Sequence, residues 1–405
     1  MTSRANTPAH TGAATSTARS FVAAVYAFAV IMLGTTMPTP LYSIYGEKLG
    51  FGVATTTVIY AVYAAGVIAA LICFGRWSDV VGRRRLLIAG AVLSAISAVV
   101  FLTAGPVWQM LIGRVISGMS AGIYAGAATT AIIELAPPSW RGRAPAIATA
   151  ANIGGLGLGP LIAGLLAQYA PGPLHTPFLV DLVLLGLALA GVWRLTETVD
   201  VKPGARLSIQ RLSVPADMRP VFVRASIAAF AGFAVTGTFT GVAPTFLSSI
   251  IGIDDHAFAG FVVFVLFASS AVTQIVVRHM PTDMALIAGC AILIGGTALT
   301  IAGLVAASAA TLFAGAVVSG VGQGMSFSKG LASVVAAAPH DRRAEVTSTF
   351  FVVAYVGISL PIVGEGLTAR GWGLQEAGIV FNAGASVLAL VSLILTVVAV
   401  RRARD

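Results

Sequence analysis

Gly75-Arg-Trp-Ser-Asp-Val-Val-Gly-Arg-Arg-Arg85 lies between two long apolar runs, 52–74 and 86–104. In 11 residues it carries four arginines, two glycines and one aspartate. Apolar runs of that length match the ~20 residues a helix needs to cross a bilayer. The stretch therefore reads as a tight basic loop at a membrane surface. Gly82 permits a turn conformation that residues with a Cβ resist. Asp79 supplies an acceptor suited to a helix N-terminus or an arginine. A loop that only set topology would need the positive charge, but no aspartate or glycine at fixed places.

The rest of the chain agrees with a membrane setting. Of 405 residues, 57% are hydrophobic and 10% charged, and the mean hydropathy is +0.93. A soluble domain carries roughly 25% charged residues. Twelve apolar segments are expected at about 21–44, 52–74, 86–104, 108–134, 144–169, 177–194, 220–250, 257–277, 284–305, 309–336, 345–369 and 376–400, each long enough to span. The alternation of a membrane β-barrel is absent, and helices satisfy their own backbone groups in lipid. Forty-five glycines suit close helix packing. Cys73 and Cys290 sit in separate apolar runs, so neither a disulfide nor a metal site is expected. No phosphate-binding loop or hydrolase motif occurs, and no cofactor is expected. Residues 1–20, rich in Thr, Ser and Ala, read as a disordered cytoplasmic tail.

Charge placement sets the orientation. With the N-terminus inside, 20 of the 24 Lys and Arg fall in inner segments, including Arg76, Arg83–Arg85, Arg141, Arg143, Arg342 and Arg343. Only Lys48 and Arg370 fall outside, and Arg114 and Lys329 lie within helices. This satisfies the positive-inside rule with both termini cytoplasmic. It also accounts for the net charge of +9 without nucleic acid. The longest loop, 195–219, contains Pro203, Gly204 and Pro215 and reads as a linker between halves 21–194 and 220–400, with 401–405 as a short tail. A shift of 202 residues places Gly113, Ser117, Gly118 and Gly122 on Gly315, Ser319, Gly320 and Gly324. The same shift places Ala136-Pro137 on Ala338-Pro339, Arg141 on Arg343, Gly155 on Gly357 and Gly164-Leu165 on Gly366-Leu367. A shift of 206 places Pro38-Thr39 on Pro244-Thr245. The two halves are parallel repeats.

The pattern Gly-x3-Asp-x2-Gly-Arg-Arg-Arg in the opening loop resembles the loop between helices 2 and 3 of the major facilitator superfamily. Val80 stands where that family usually has a basic residue, and Trp77 where it has Leu. Arg114-Val-Ile-Ser-Gly118 resembles its helix 4 motif, whose arginine is linked there to proton transfer. Here it is either that or a structural arginine paired with a neighbouring helix. Glu134, followed by Pro-Pro-Ser-Trp-Arg-Gly-Arg143, is similar to the helix 4–5 loop, where a salt-bridging cluster at the inner surface is the favoured reading. Gly155-Leu-Gly-Leu-Gly159-Pro160-Leu-Ile-Ala-Gly164 resembles the helix 5 motif of the antiporters, with Ala163 and Ala146 in place of two glycines. Its proline kinks the helix and its glycines permit close approach. That resemblance implies an all-α fold of two six-helix halves and tilts the function towards export.

Four more polar residues lie in helices: Glu365, Lys329, Asp181 and Asn152. In the resembled fold helices 1, 4, 7 and 10 line the cavity, and helices 2, 5, 8 and 11 form the half interface. Glu365 is thus expected at the half interface as carrier of an exchanged proton, or else as a hydrated helix-end glutamate. Arg114 would tune it, Asp181 would pair with Arg114, Asp181 and Glu134 are the further proton-coupling candidates, and Lys329 would face the cavity. Tyr42, Tyr60, Tyr63, Tyr124, Phe327 and Tyr355 are candidates for contacting an apolar substrate or, equally, for helix packing. Asp79 is expected to dock on the start of helix 11 near Ala344-Glu345-Val346. The expected function is proton-coupled efflux of small apolar or amphipathic compounds by a monomer in the plasma membrane of a bacterial cell. A sugar or metabolite permease of the same fold is the alternative. An intramembrane enzyme would need a nucleophile or metal cluster, and a sensor a sizeable soluble domain. Cysteines introduced by Gly204→Cys and His256→Cys should react with an impermeant maleimide from the inside and the outside respectively. Labelling of both from one side contradicts the twelve-span topology.

Overall fold

The structure, a computed structural model, describes residues 9–75, 77–199 and 209–402, with side chains from Ala18 onward and without that of Asp79. Among the described residues twelve helices are long and apolar enough to cross a membrane: α1 (Ala18–Leu49), α2 (Val53–Phe74), α3 (Arg83–Leu102), α4 (Val107–Glu134), α5 (Ala144–Tyr169), α6 (Thr176–Trp193), α7 (Ala216–Gly241), α8 (His256–His279), α9 (Thr282–Val305), α10 (Ala309–Ala337), α11 (His340–Trp372) and α12 (Leu374–Arg402). No strand occurs among the described residues. Helix already begins at Ala9, so it extends into the stretch expected as a tail. Residues 1–8, Gly204 and the rest of 200–208, residues 403–405 and the docking of Asp79 lie outside the described residues.

The repeat in the sequence is a repeat of contacts. α2 packs on α4 as α8 packs on α10, α3 on α4 as α9 on α10, α1 on α5 as α7 on α11, and α3 on α6 as α9 on α12. The matched glycines hold matched positions. A Cβ on Gly118 would collide with the Tyr63 carbonyl of α2, and one on Gly320 with the Leu266 carbonyl of α8. Gly155 abuts Ala29 of α1, and Gly357 abuts Phe230 of α7. Lipid tails are as apolar as the helices, so no hydrophobic force draws helices together, and association depends on backbones coming this close. The paired Pro-Thr steps also act alike. The first helix breaks after Thr36 into a 3-10 turn at Thr39–Leu41, and α7 ends at Gly241 before a π-turn at Leu247–Ile251. α6 and α12 lie at the rim and expose Leu and Val to the bilayer, for example Val183, Leu187, Val387 and Leu390.

The halves meet through α5 against α8 and α2 against α11. On the side opposite the linker these pairs are sealed. Gly366 seats Thr57, Gly164 lies on the His256 carbonyl, and Gly260 lies on the Pro160 carbonyl. His256 also donates its backbone N–H to Gln168 Oε1 at 3.0 Å.

On the linker side the opening loop is fixed by acids. Gly82 takes φ +103°, a conformation open to glycine and strained for other residues. That turn points the backbone N–H groups of Arg83 and Arg84, at the start of α3, to Glu197, at 2.9 and 3.1 Å. The buried Arg83 guanidinium is held by Glu134 through Nε at 3.2 Å and Nη2 at 3.0 Å, and by Ser78 at 2.7 Å. Past the loop, the chain from 209 runs across the end of α2. Gln210 donates its N–H to the Ile72 carbonyl at 2.8 Å, and Ser213 donates to Glu345 of α11 at 3.0 Å.

Pro160 is accommodated by a neighbour. A proline at 160 leaves the Leu156 carbonyl without its donor four residues on. Thr36 of α1 supplies one at 2.8 Å, and Gly159 makes the room. Thr36→Val should lower stability by about 1 kcal/mol, read as a drop in thermal midpoint in detergent. The double variant Thr36→Val/Pro160→Ala should lose less than the sum of the single losses. Strict additivity would separate the two residues.

Candidate functional site

A cavity of about 420 Å³ lies between the halves. Its closed end is formed by Thr36, Tyr60, Tyr63, Arg114, Thr236 and Ile358. Its walls run to Thr130, Thr149, Gln274, Leu331 and Thr347, near the linker-side ends of α4, α5, α8, α10 and α11. From Arg114 to Thr130 that is ~24 Å along α4 at 1.5 Å per residue. The cavity therefore faces the linker side, and the sealed glycine contacts close it on the other. The size suits a small organic molecule.

The walls are aromatic with scattered amides and hydroxyls. Tyr63, Tyr355, Phe233, Phe327 and Phe351 form a continuous track, with successive ring centroids 6.3, 6.0, 5.1 and 6.0 Å apart. One turn before Phe327 on α10, Gln323 accepts from Ser270 at 2.6 Å, and Gln274 donates to Ser270 at 3.2 Å. Among the described residues no Asp or Glu lines the cavity, and Arg114 is its one charged lining residue.

Arg114 is positioned by glycines. Gly66 and Gly118 face one another and bring α2 against α4. The guanidinium carbon then lies 4.6 Å from the Tyr63 ring centroid and 5.5 Å from that of Tyr60. Nη1 donates to the Thr35 carbonyl, where α1 nears its break. Nε is buried without an acceptor. The side chain is 1% exposed, and among the described residues no carboxylate lies within ion-pair distance. A cation in hydrocarbon costs a few kcal/mol, and aromatic faces offset about 0.5–2 kcal/mol of that.

The other expected residues divide. Tyr60, Tyr63, Asn152, Phe327 and Tyr355 line the cavity with Arg114. Tyr124 does not: its hydroxyl donates to the Leu87 carbonyl at 2.9 Å inside the first half. Tyr42 is buried in the apolar cluster towards the sealed side. Lys329 is not a cavity residue either. It caps the end of α8, donating to the carbonyls of Arg278 at 3.1 Å and Met280 at 2.7 Å, the ordinary use of a lysine at a helix C-terminus. Asp181 is not paired with Arg114. It is buried against α1, where the bare Gly34 makes its space. Glu134 serves the loop, as the partner of Arg83 and Thr198.

Glu365 departs furthest from expectation. It lies on a half-interface helix but turns inward, into the second half. Oε2 accepts from Thr238 of α7 at 2.7 Å, and Oε1 is buried without a donor. Beside it is a cavity of about 10 Å³ lined by Thr300, Leu304, Leu312 and Gly378, among others, close to the room one water needs. Glu365 and Arg114 make no contact with each other. The sequence reading missed Glu197, Gln210, Ser213, Gln274 and Gln323. Gln274 and Gln323 could have been picked out as amides inside apolar segments; the linker residues carry no local signal.

In the helix 5 motif, Gly155 and Gly159 face α1, while Gly157 and Gly164 face α8. The motif thus joins an internal contact to the half interface on one helix.

Comparison with known proteins agrees with this architecture. A tetracycline resistance protein, class E, from Escherichia coli is 32% identical over 142 residues, covering 35% of this chain and 34% of that protein. An arabinose-proton symporter of Bacillus subtilis is 39% identical over 85 residues, 21% of this chain and 18% of that one. The chain thus aligns with about a third or less of the length of these relatives. The crystal structure of a mutant of the nucleoside transporter NupG superposes with a TM-score of 0.74 at 15% identity, covering 93% of this chain and 99% of the other, which is a likeness of fold. The family model of the Major Facilitator Superfamily matches residues 24–360, and with twelve spans, two repeated halves and a cavity between them this chain is a transporter of that superfamily.

Proposed function

We propose that the chain exports small apolar or amphipathic compounds in exchange for protons, by alternating access. The observation that carries this is the aromatic cavity between the halves, open to the linker side and sealed on the other. The positive-inside rule makes the linker side the cytoplasm, so a compound loads from within a cell whose plasma membrane holds the chain. The two halves of one chain complete the cavity, which suits a monomer. The similarity to a tetracycline resistance protein supports the same direction.

Coupling falls to Glu365. An ionised carboxylate there would have no countercharge, because its neighbours are a hydroxyl and an apolar shell. The next residue, Gly366, seats Thr57 of α2 in the seal. Ionisation draws water into the small cavity beside Glu365 and shifts α11; protonation lets it settle. Adjacent residues thus tie a proton in one half to the contact between halves. Asp181, buried without an acid or base beside it, is the second carboxyl with a buried oxygen lacking a donor and is a secondary candidate for the proton.

A second reading, a proton-coupled sugar or metabolite permease, draws on the similarity to the arabinose-proton symporter and on the amides Asn152, Gln274 and Gln323. The aromatic track speaks against it. In proteoliposomes with a pH-sensitive dye, a panel of amphipathic compounds and pentoses should show proton movement with the former. Glu365→Gln should abolish uphill accumulation driven by a pH gradient while retaining substrate exchange. Undiminished accumulation by that variant would remove Glu365 from the coupling scheme, and proton movement with pentoses alone would favour the permease.

A further inference from the structure

We infer that the closed end of the central cavity is an anion site, and that the compounds the chain takes are amphipathic organic anions with a planar aromatic body and one carboxylate or sulfonate. The inference rests on the reading of that cavity as the substrate site.

Arg114 is the group that asks for an anion. It is 1% exposed, it lines the cavity, and no carboxylate lies within ion-pair distance among the described residues. Nη1 is engaged by the Thr35 carbonyl, Nε is buried with no acceptor, and Nη2 makes no hydrogen bond among the described residues. Nε and Nη2 form the edge of a guanidinium that matches a carboxylate in a two-pronged pair. The residues around it do not neutralise it: Tyr60 and Tyr63 offer ring faces, which attract a cation without cancelling its charge. With no acid among the described residues of the cavity wall, a cationic compound would meet an uncompensated positive charge at the deep end and nothing to balance its own.

The shape of the ligand follows from the track. Tyr63 is both the ring beneath the guanidinium and the first ring of the line through Tyr355, Phe233, Phe327 and Phe351. A molecule whose acid group reaches Arg114 therefore lays its body along five aromatic side chains. Flat aromatic bodies gain from such offset and edge contacts. The amides of Gln274 and Gln323 also line the cavity and can take neutral polar substituents.

Binding separates this inference from the transport reading. Probes of matched shape are 2-naphthoate, 2-naphthamide and 2-naphthylmethylammonium, titrated calorimetrically at about pH 7.5 into the purified chain in nanodiscs. The naphthoate should bind about tenfold or more tightly than the amide, and the ammonium should bind weakest. Arg114→Gln should bring naphthoate and amide to equal affinity, with Arg114→Lys between. Phe327→Ala should weaken naphthoate and amide alike, because it removes ring and not charge. An amide or ammonium that matches the naphthoate in the unaltered chain overturns the anion site, whether or not the Arg114 variants fold. So does a naphthoate preference that survives Arg114→Gln. Binding of naphthoate with no movement across a proteoliposome membrane would sustain the anion site and count against export; movement of neutral or cationic compounds with no preference for naphthoate would do the reverse.

Discussion

The contact on which the architecture depends is the approach of bare backbones along α5. Gly155 and Gly159 let it touch α1; Gly157 and Gly164 let it touch α8 in the other half. Hydrocarbon supplies no hydrophobic force between helices, so these van der Waals contacts and a few internal hydrogen bonds must hold the bundle. A seal made of glycine against carbonyl, as at Gly164 with His256 and Gly260 with Pro160, has no interlocked side chains to withdraw. Pro160 adds a bend, and Thr36 supplies the hydrogen bond that the bend leaves open. One helix therefore carries both the internal fit of the first half and the hinge surface to the second.

The linker side is held differently, with charge. Glu134 and Glu197 pin the start of α3, the first through the Arg83 side chain and the second through backbone N–H groups. The segment at Gln210–Ser213 crosses from the end of α2 to Glu345 at the start of α11. It bridges two helices of opposite halves on the side where the cavity opens. The halves thus meet through glycine contacts on one side and through a polar tie on the other.

How much of this was readable in the sequence follows from what each feature depends on. Span number and the parallel repeat depend on apolar length and on glycine spacing, both local properties, and Gly118 and Gly320 could be matched before their contacts were known. The turn at Gly82 was readable because a single residue type satisfies it. Side-chain facing was not. Glu365 lies on a helix of the half interface, yet a rotation about the helix axis decides which neighbour it meets, and it meets Thr238. Lys329 and Asp181 were misplaced for the same reason: an ionisable residue in an apolar segment announces that it has a role, and the partner is set by tertiary packing. Tyr124 shows that an aromatic residue in a cavity-lining helix is a packing residue when it lies on the far face.

The repeat also shows where the two halves have diverged. Glycines, the Pro-Thr step and the Ala-Pro turn recur in both, because both halves must fold and slide in the same way. The polar groups of the cavity end and of the buried carboxyl site do not recur. At the shift of 202 residues Arg114 falls on Ala316, Glu365 on Ala163 and Gln323 on Ala121. Each of these side chains thus corresponds to a small one in the other half. An axis along the membrane normal leaves the two membrane faces distinct, so the matched packing of the parallel halves does not by itself relate a bundle open on one face to one open on the other. On the proposed reading, ligand recognition at Arg114, at the closed end of the cavity in the first half, and coupling at Glu365, behind the seal in the second, stand on opposite sides of the interface between the halves, at positions that the repeat does not relate.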